Sequence, residues 1–232
     1  MPTLSSLVSD ISSIIADPVY TDAVIVSRIN DAVTTIAGGI RMPDGSISPT
    51  LPDLYASGTV ATSTTLAYVS LPTNYQRYVF GIYDSAWNII NPVQGGGYYS
   101  FNLFLQQSAN QALAEAGSVY RVCVKGTKLY YQGIPTASTD IGLHYYRKPT
   151  VMALDGDEPD GIPEQFQTRL IKAYVCKTIY GEMLEAGVGE PANGMQYHEK
   201  QFYMAMTDLC DFIGIDAVPE YYGSDDGGMG SM

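Results

Sequence analysis

The spacing of apolar residues changes twice along this chain, and that change is the strongest constraint on its fold. Leu4, Leu7, Val8, Ile11, Ile14 and Ile15 recur at three- and four-residue steps, the period of one face of an α-helix, with Thr3 placed as N-cap. Pro18 interrupts the pattern. A second helix is predicted from about Thr21, with Ile25, Ile29, Ala32, Val33 and Ile36 on one stripe and Gly38-Gly39 at its end. So short a break predicts a helical hairpin. The stretch GIRMPDGSISPTLPDLYASG (39–58) is rich in Gly, Pro, Ser and Asp and reads as an ordered loop or linker.

From residue 59 to about 148 the period falls to two. Segment 59–72 is Thr- and Val-rich and stops at Pro72, and 75–84 and 86–91 read as strands across a turn near Asp84-Ser85. Residues 95–105 follow a Gly run as a further strand, and 107–116 is the one helical interruption. VYRVCV and KLYYQ with Lys125-Gly126 between them form the clearest hairpin signal, and 140–149 alternates to Pro149. Six or seven short strands suit a small antiparallel sandwich or barrel. Helical spacing returns in 163–187 (Phe166, Leu170, Tyr174, Val175) and in 191–213 (Tyr197, Phe202, Ala205, Leu209, Phe212, Ile213). The expected fold is therefore α+β. Residues 1–58 and 150–213 are the two parts of a helical scaffold, 59–149 a central antiparallel β-sandwich or barrel-like insertion, and 214–232 a flexible Gly- and Asp-rich tail.

Charge follows the same division. The chain carries 12 basic and 24 acidic residues, net −12, a balance opposed to gripping a phosphate backbone. Residues 1–58 have six acids and two bases, 59–150 three acids and six bases, 151–213 eleven acids and four bases, and the tail four acids and no base. The middle is thus positive between negative flanks. Tyrosine is abundant, at 19 residues against one Trp and six Phe. Two readings stand side by side: a surface made for protein contacts, or strand propensity alone. The segment MPTLSSLVSD has no basic start and no continuous apolar run, and no apolar stretch of about 18 residues occurs. Neither an ordinary export signal nor a membrane span is expected.

No reaction rises above background: acidic pairs for glycoside hydrolysis could be drawn from many carboxylates, but sequence leaves their separation unconstrained. The two histidines, His144 and His198, have no partners at metal-ligand spacing. Cys123, Cys176 and Cys210 are distant from one another and are expected as reduced thiols. A calcium loop opening at Asp155 would need Asp or Asn where Pro159 stands, Gly where Asp160 stands and Glu where Phe166 stands. A solvated acidic loop is the expectation, with a looser calcium site the open alternative. Gly95-Gly96-Gly97 lacks the following Lys-Ser/Thr of a phosphate cradle. The expectation is no catalytic residue, no cofactor and no metal.

Four strings in fixed order carry a resemblance. Ile29-Asn30 is followed by Ala32; Val69-Ser70-Leu71-Pro72-Thr73-Asn74-Tyr75 opens the β region; LYYQGIPTASTDIGLHYYRKP (129–149) closes it; and IPEQFQTRLIKAYVCKTIYGEML (162–184) begins the returning helices. Together they resemble the head-to-tail adaptor (connector) family of tailed bacteriophages, across nearly the whole chain. The stretch 91–118 is longer and richer in Gly and Gln than the family pattern.

The resemblance implies a structural subunit of the virion neck, assembled in the host cytoplasm as a homo-oligomeric, typically twelve-fold ring between the portal protein and the tail or nozzle proteins. DNA would pass through it without specific binding. The tail would reach the portal, with Phe212, Ile213, Tyr221 and Tyr222 as contact residues for portal or neighbouring subunit. The alternatives are another neck or tail component (stopper, tail terminator or baseplate module), then a virion-associated cell-wall hydrolase. A glycan-binding β module would explain the tyrosines but not the flanking helices.

Overall fold

The computed structural model describes residues 1–90, 101, 104, 115–187 and 191–214. The described chain divides into two units, one gathering Met1–Leu54 with residues 148–214, the other built on Tyr55–Arg147.

In the first unit, helix α1 (Leu4–Ile15) starts where Thr3 caps it: the Ser6 N–H donates to Thr3 Oγ1 at 3.4 Å. Its stripe Leu4, Leu7, Ile11 and Ile15 is buried, each side chain contributing about 2 kcal/mol relative to an exposed one. It ends at Ala16, which takes the left-handed conformation of a helix stop. Helix α2 (Asp22–Gly38) buries Ile25, Ile29, Ala32, Val33, Ile36 and Ala37. The two returning helices are α3 (Glu164–Glu185) and α4 (Ala192–Ile213). Helix α3 packs against α1, α2 and α4. It therefore buries residues on several faces, Leu170, Ile171, Ala173, Val175, Cys176 and Ile179 among them. A helix enclosed in this way has no single apolar stripe, which is why spacing alone picked out only part of its core. Helices from both ends of the sequence thus share one core.

Among the described residues of the second unit, six strands form two antiparallel three-stranded sheets. Strands β1 (Tyr55–Ala61), β3 (Tyr75–Tyr83) and β6 (Asp140–Arg147) make the first, in the order β1-β6-β3; β2 (Tyr68–Ser70), β4 (Arg121–Lys125) and β5 (Lys128–Gln132) make the second, in the order β2-β5-β4. Val60, Ile82, Ile141, Leu143 and Tyr145 of the first sheet and Val122, Val124, Leu129 and Tyr131 of the second belong to one buried cluster. That is a sandwich. Tyr131 is fully buried and satisfied: its hydroxyl accepts from the Ser63 N–H at 2.7 Å and donates to the Leu66 carbonyl at 2.9 Å. The turn between β4 and β5 reverses at Gly126, φ +58°.

Three local expectations are corrected. Segment 59–72 is not one strand: β1 begins at Tyr55, and after Ala61 the chain leaves for the other sheet. The Thr62 hydroxyl and the Thr139 carbonyl pair at 3.0 Å, and Ser63 Oγ accepts from the Thr65 and Leu66 N–H groups. Such side-chain bonds to backbone favour a turn over a continuing strand. Among its described residues, segment 86–91 contributes a single bridge, Tyr83–Ile89, because Asp84 Oδ1 takes the N–H groups of Ala86 and Asn88 and folds the chain back at once. Phe101 and Phe104 are helical, not strand; Phe104 is buried against Cys123, with Phe101 beside Tyr130. The rest of 91–114, including most of the helix expected at 107–116, lies outside the described residues, as do residues 215–232 of the expected tail.

Candidate assembly surfaces

The acidic loop 150–163 is tied to three helices. Asn30, on α2, holds it through both ends of its amide: Oδ1 accepts from the Met152 N–H at 2.8 Å, and Nδ2 donates to the Met152 carbonyl at 3.0 Å and to Val26 at 3.1 Å. Gln167, on α3 and buried, donates to the carbonyls of Pro159 (3.0 Å) and Ile162 (2.8 Å). The first N–H groups of α1, from Leu4 and Ser5, donate to the carbonyls of Asp157 and Asp155, satisfying donors that a helix start leaves open. Two of the loop's four acids turn inward: Asp157 Oδ2 accepts from the Ala153 and Leu154 N–H groups, and Asp160 Oδ2 from that of Thr150. The backbone N–H groups of Leu154 and Ala153 hold the Asp157 carboxyl below the usual range. Asn30 and Ala32 of the quoted string thus have physical roles, an amide clamp and a position of zero exposure. An Asn flanked by Ile29 and Val33 of a buried stripe is the sequence signal for such a clamp; that of Gln167 is weaker.

This fixed loop displays Val151 and Leu154, 69% and 72% exposed. Helix α4 also displays apolar groups: Tyr197, Met204 and Phe212 are exposed on its outer side. Phe212 is 61% exposed, its ring 5.5 Å from that of Phe166. Ile213, the last residue of α4, is half-buried. Tyr221 and Tyr222 lie outside the described residues, so of the four expected contact residues only Phe212 and Ile213 are placed, at the end of one helix. Between α3 and α4 the Lys177 ammonium stands over the rings of Phe202 (4.4 Å), Tyr174 (5.0 Å) and Tyr203 (5.4 Å). Burial draws its pKa down, opposed by Glu199.

In the β unit four rings run in sequence: Trp87 to Tyr83 at 6.2 Å, Tyr83 to His144 at 5.0 Å, and His144 to Tyr55 at 5.6 Å. Trp87, the sole tryptophan, is 72% exposed at φ +64°. Large apolar side chains fixed outward in this way are the material of protein interfaces. Sequence reasoning passed over Trp87; Asp84 three residues before it was the available signal.

Both histidines and two of the three cysteines sit among packed side chains. His144 lies between two aromatic rings, and His198 stacks on Tyr180 at 5.7 Å, its pKa lowered by burial and then by Lys172. Burial pushes the thiols of Cys123 and Cys176 up to about 11. Among the described residues, no three His, Cys, Asp or Glu side chains stand together as metal ligands, and no helix is long and apolar enough to cross a membrane.

No curated protein matches the chain. A family model does, that of the SU10 adaptor protein, over residues 2–224 and so through both units. With helices from both ends of the sequence folded into one unit, the stretch between them folded into an antiparallel β unit, and a match that covers nearly its full length, this chain belongs to the SU10 adaptor protein family, the phage adaptors.

Proposed function

We propose that the chain is a head-to-tail adaptor (connector) subunit that joins copies of itself into a ring, twelve-fold in the family's manner, between the portal protein and the tail. The match over residues 2–224 carries this reading. The exposed apolar residues of α4 and of loop 150–163 support it, because a ring subunit must offer surfaces to neighbours. In this role the end of α4, with Phe212 and Ile213, and the following Tyr221 and Tyr222 bind the portal or an adjoining subunit. The setting is the virion neck after assembly in the host cytoplasm.

DNA leaves the capsid through the ring's channel. Segment 151–213 has eleven acids against four bases, and a wall of that sign repels phosphate and lets the duplex slide. Negative-stain images of the protein co-expressed with its portal test the reading. Closed rings seated on the portal are expected, and deleting residues 217–232 leaves a folded chain that no longer joins it. Portal particles without added density, or tight duplex retention by the isolated protein at low salt, refute the respective parts.

A further inference from the structure

We infer that the tip of the β4–β5 hairpin of one copy docks in the groove between α1 and α2 of a second copy. This deepens the proposed ring by naming one contact within it. The groove, of about 450 Å³, is lined by Leu4, Val8 and Val26, by three serines of α1, and by the two acidic residues Asp22 and Asp155. No basic residue lines it. Ser12, also on the lining, has its Oγ buried without a hydrogen-bond partner.

The tip has the opposite character. Lys125 and Lys128 face each other in direct cross-strand register across Gly126-Thr127. Lys125, Gly126 and Thr127 are exposed, and Lys128 is held over the Tyr68 ring at 4.1 Å. Gly126 supplies the narrow end of the hairpin: no atom lies within 4 Å of where its Cβ would stand. A slender, doubly positive tip suits a groove with two acidic residues and a mixed aliphatic and serine lining.

The units as wholes have the same complementarity, since residues 59–150 carry six bases and three acids while both flanks are acidic. A contact between two different surfaces of identical chains is head-to-tail, the kind that closes rings.

Charge exchange tests the contact. The full-length chain, the tip variant Lys125→Glu/Lys128→Glu, the groove variant Asp22→Lys/Asp155→Lys and the chain with all four changes are compared by light scattering behind size exclusion at low salt, with circular dichroism to verify folding. Each two-residue variant is expected to raise the concentration needed for association by about tenfold or more, because attraction becomes repulsion. The four-residue chain is expected to return close to wild type. Association unchanged in both two-residue variants overturns the contact while leaving the portal-bound ring to be judged from its own images. Failure of the four-residue exchange to restore association overturns it too, as does a wild-type chain that stays monomeric. A tip variant that alters duplex retention but not association overturns it as well, and assigns the lysines to phosphate.

Discussion

The clamp between Asn30 and Met152 gives the most quantitative test of how the helical unit is held. Replacing Asn30 by Ala deletes three hydrogen bonds, at 2.8, 3.0 and 3.1 Å. It leaves the N–H and carbonyl of Met152, itself 2% exposed, without those partners. At about 1 kcal/mol net for each bond, and with partial solvent access to the half-buried site, Asn30→Ala is expected to cost about 2–3 kcal/mol. Asn30→Asp separates the components. Its carboxylate still accepts from the Met152 N–H but has no donor for the carbonyls of Val26 and Met152, and it places negative charge beside both. The variant is expected to lose at least as much as the alanine form at neutral pH.

The pH dependence follows from the same geometry. Two carbonyls facing the new carboxyl favour its protonated form, so its folded-state pKa is raised above the unfolded value of about 3.9. The folded state then binds the proton more tightly, and stability lost at neutral pH returns as pH falls through the raised value. Urea unfolding followed by circular dichroism at 222 nm, for wild type and both variants at neutral and mildly acidic pH, measures the differences at unchanged slope. An Asn30→Ala cost below about 0.5 kcal/mol, the range of an ordinary surface change, or an aspartate penalty that does not move with pH, refutes the clamp.

Other perturbations read other parts of the chain. Gly161 has φ +83°, and an added Cβ would stand 2.5 Å from Leu54 Cγ, so Gly161→Ala is expected to cost about 2 kcal/mol or more, from backbone strain and overpacking, seen as a lower urea midpoint. Burial pushes the thiols of Cys123 and Cys176 up to about 11, and burial, then Asp211 and Asp44, raises that of Cys210 as well, but only Cys210 is half-exposed. A thiol reagent at pH 8 is therefore expected to react first with Cys210, and with all three only in denaturant; equal rates would contradict this. Side-chain and backbone hydrogen bonds from Asn88, then that of Ala86, hold the Asp84 carboxyl below its usual range. Its support of the turn is therefore present at neutral pH and lost as pH falls through that depressed value, and Trp87 emission is expected to change there in wild type but not in Asp84→Ala.

What could be read from sequence was what spacing encodes. Ile25, Ile29, Ala32, Val33 and Ile36 formed a stripe because α2 has one buried face, and that face is the one observed. Helix α3 gave up less of its core, since Ile171, Cys176 and Ile179 are buried by helices on different sides and no single period marks them. In the β region the alternation Ile141, Leu143, Tyr145 was legible because only one face of β6 enters the sandwich. The sheet change after Ala61 was hidden: Thr62 and Ser63 have strand-like residue types, and only their bonds to Thr139, Thr65 and Leu66 show that they turn the chain. The site was harder still. The order of weak strings led to the family, but why Asn30 belongs in its string is visible only when Met152, 122 residues away, is brought beside it. Local spacing reports which face of an element is covered; it is silent on which distant segment covers it. In the proposed ring, working surfaces are faces covered by other chains, and apolar residues offered for that role here, such as Phe212 and Leu154, carry no period that separates them from core. Exposure in the folded unit is the observation that distinguishes them.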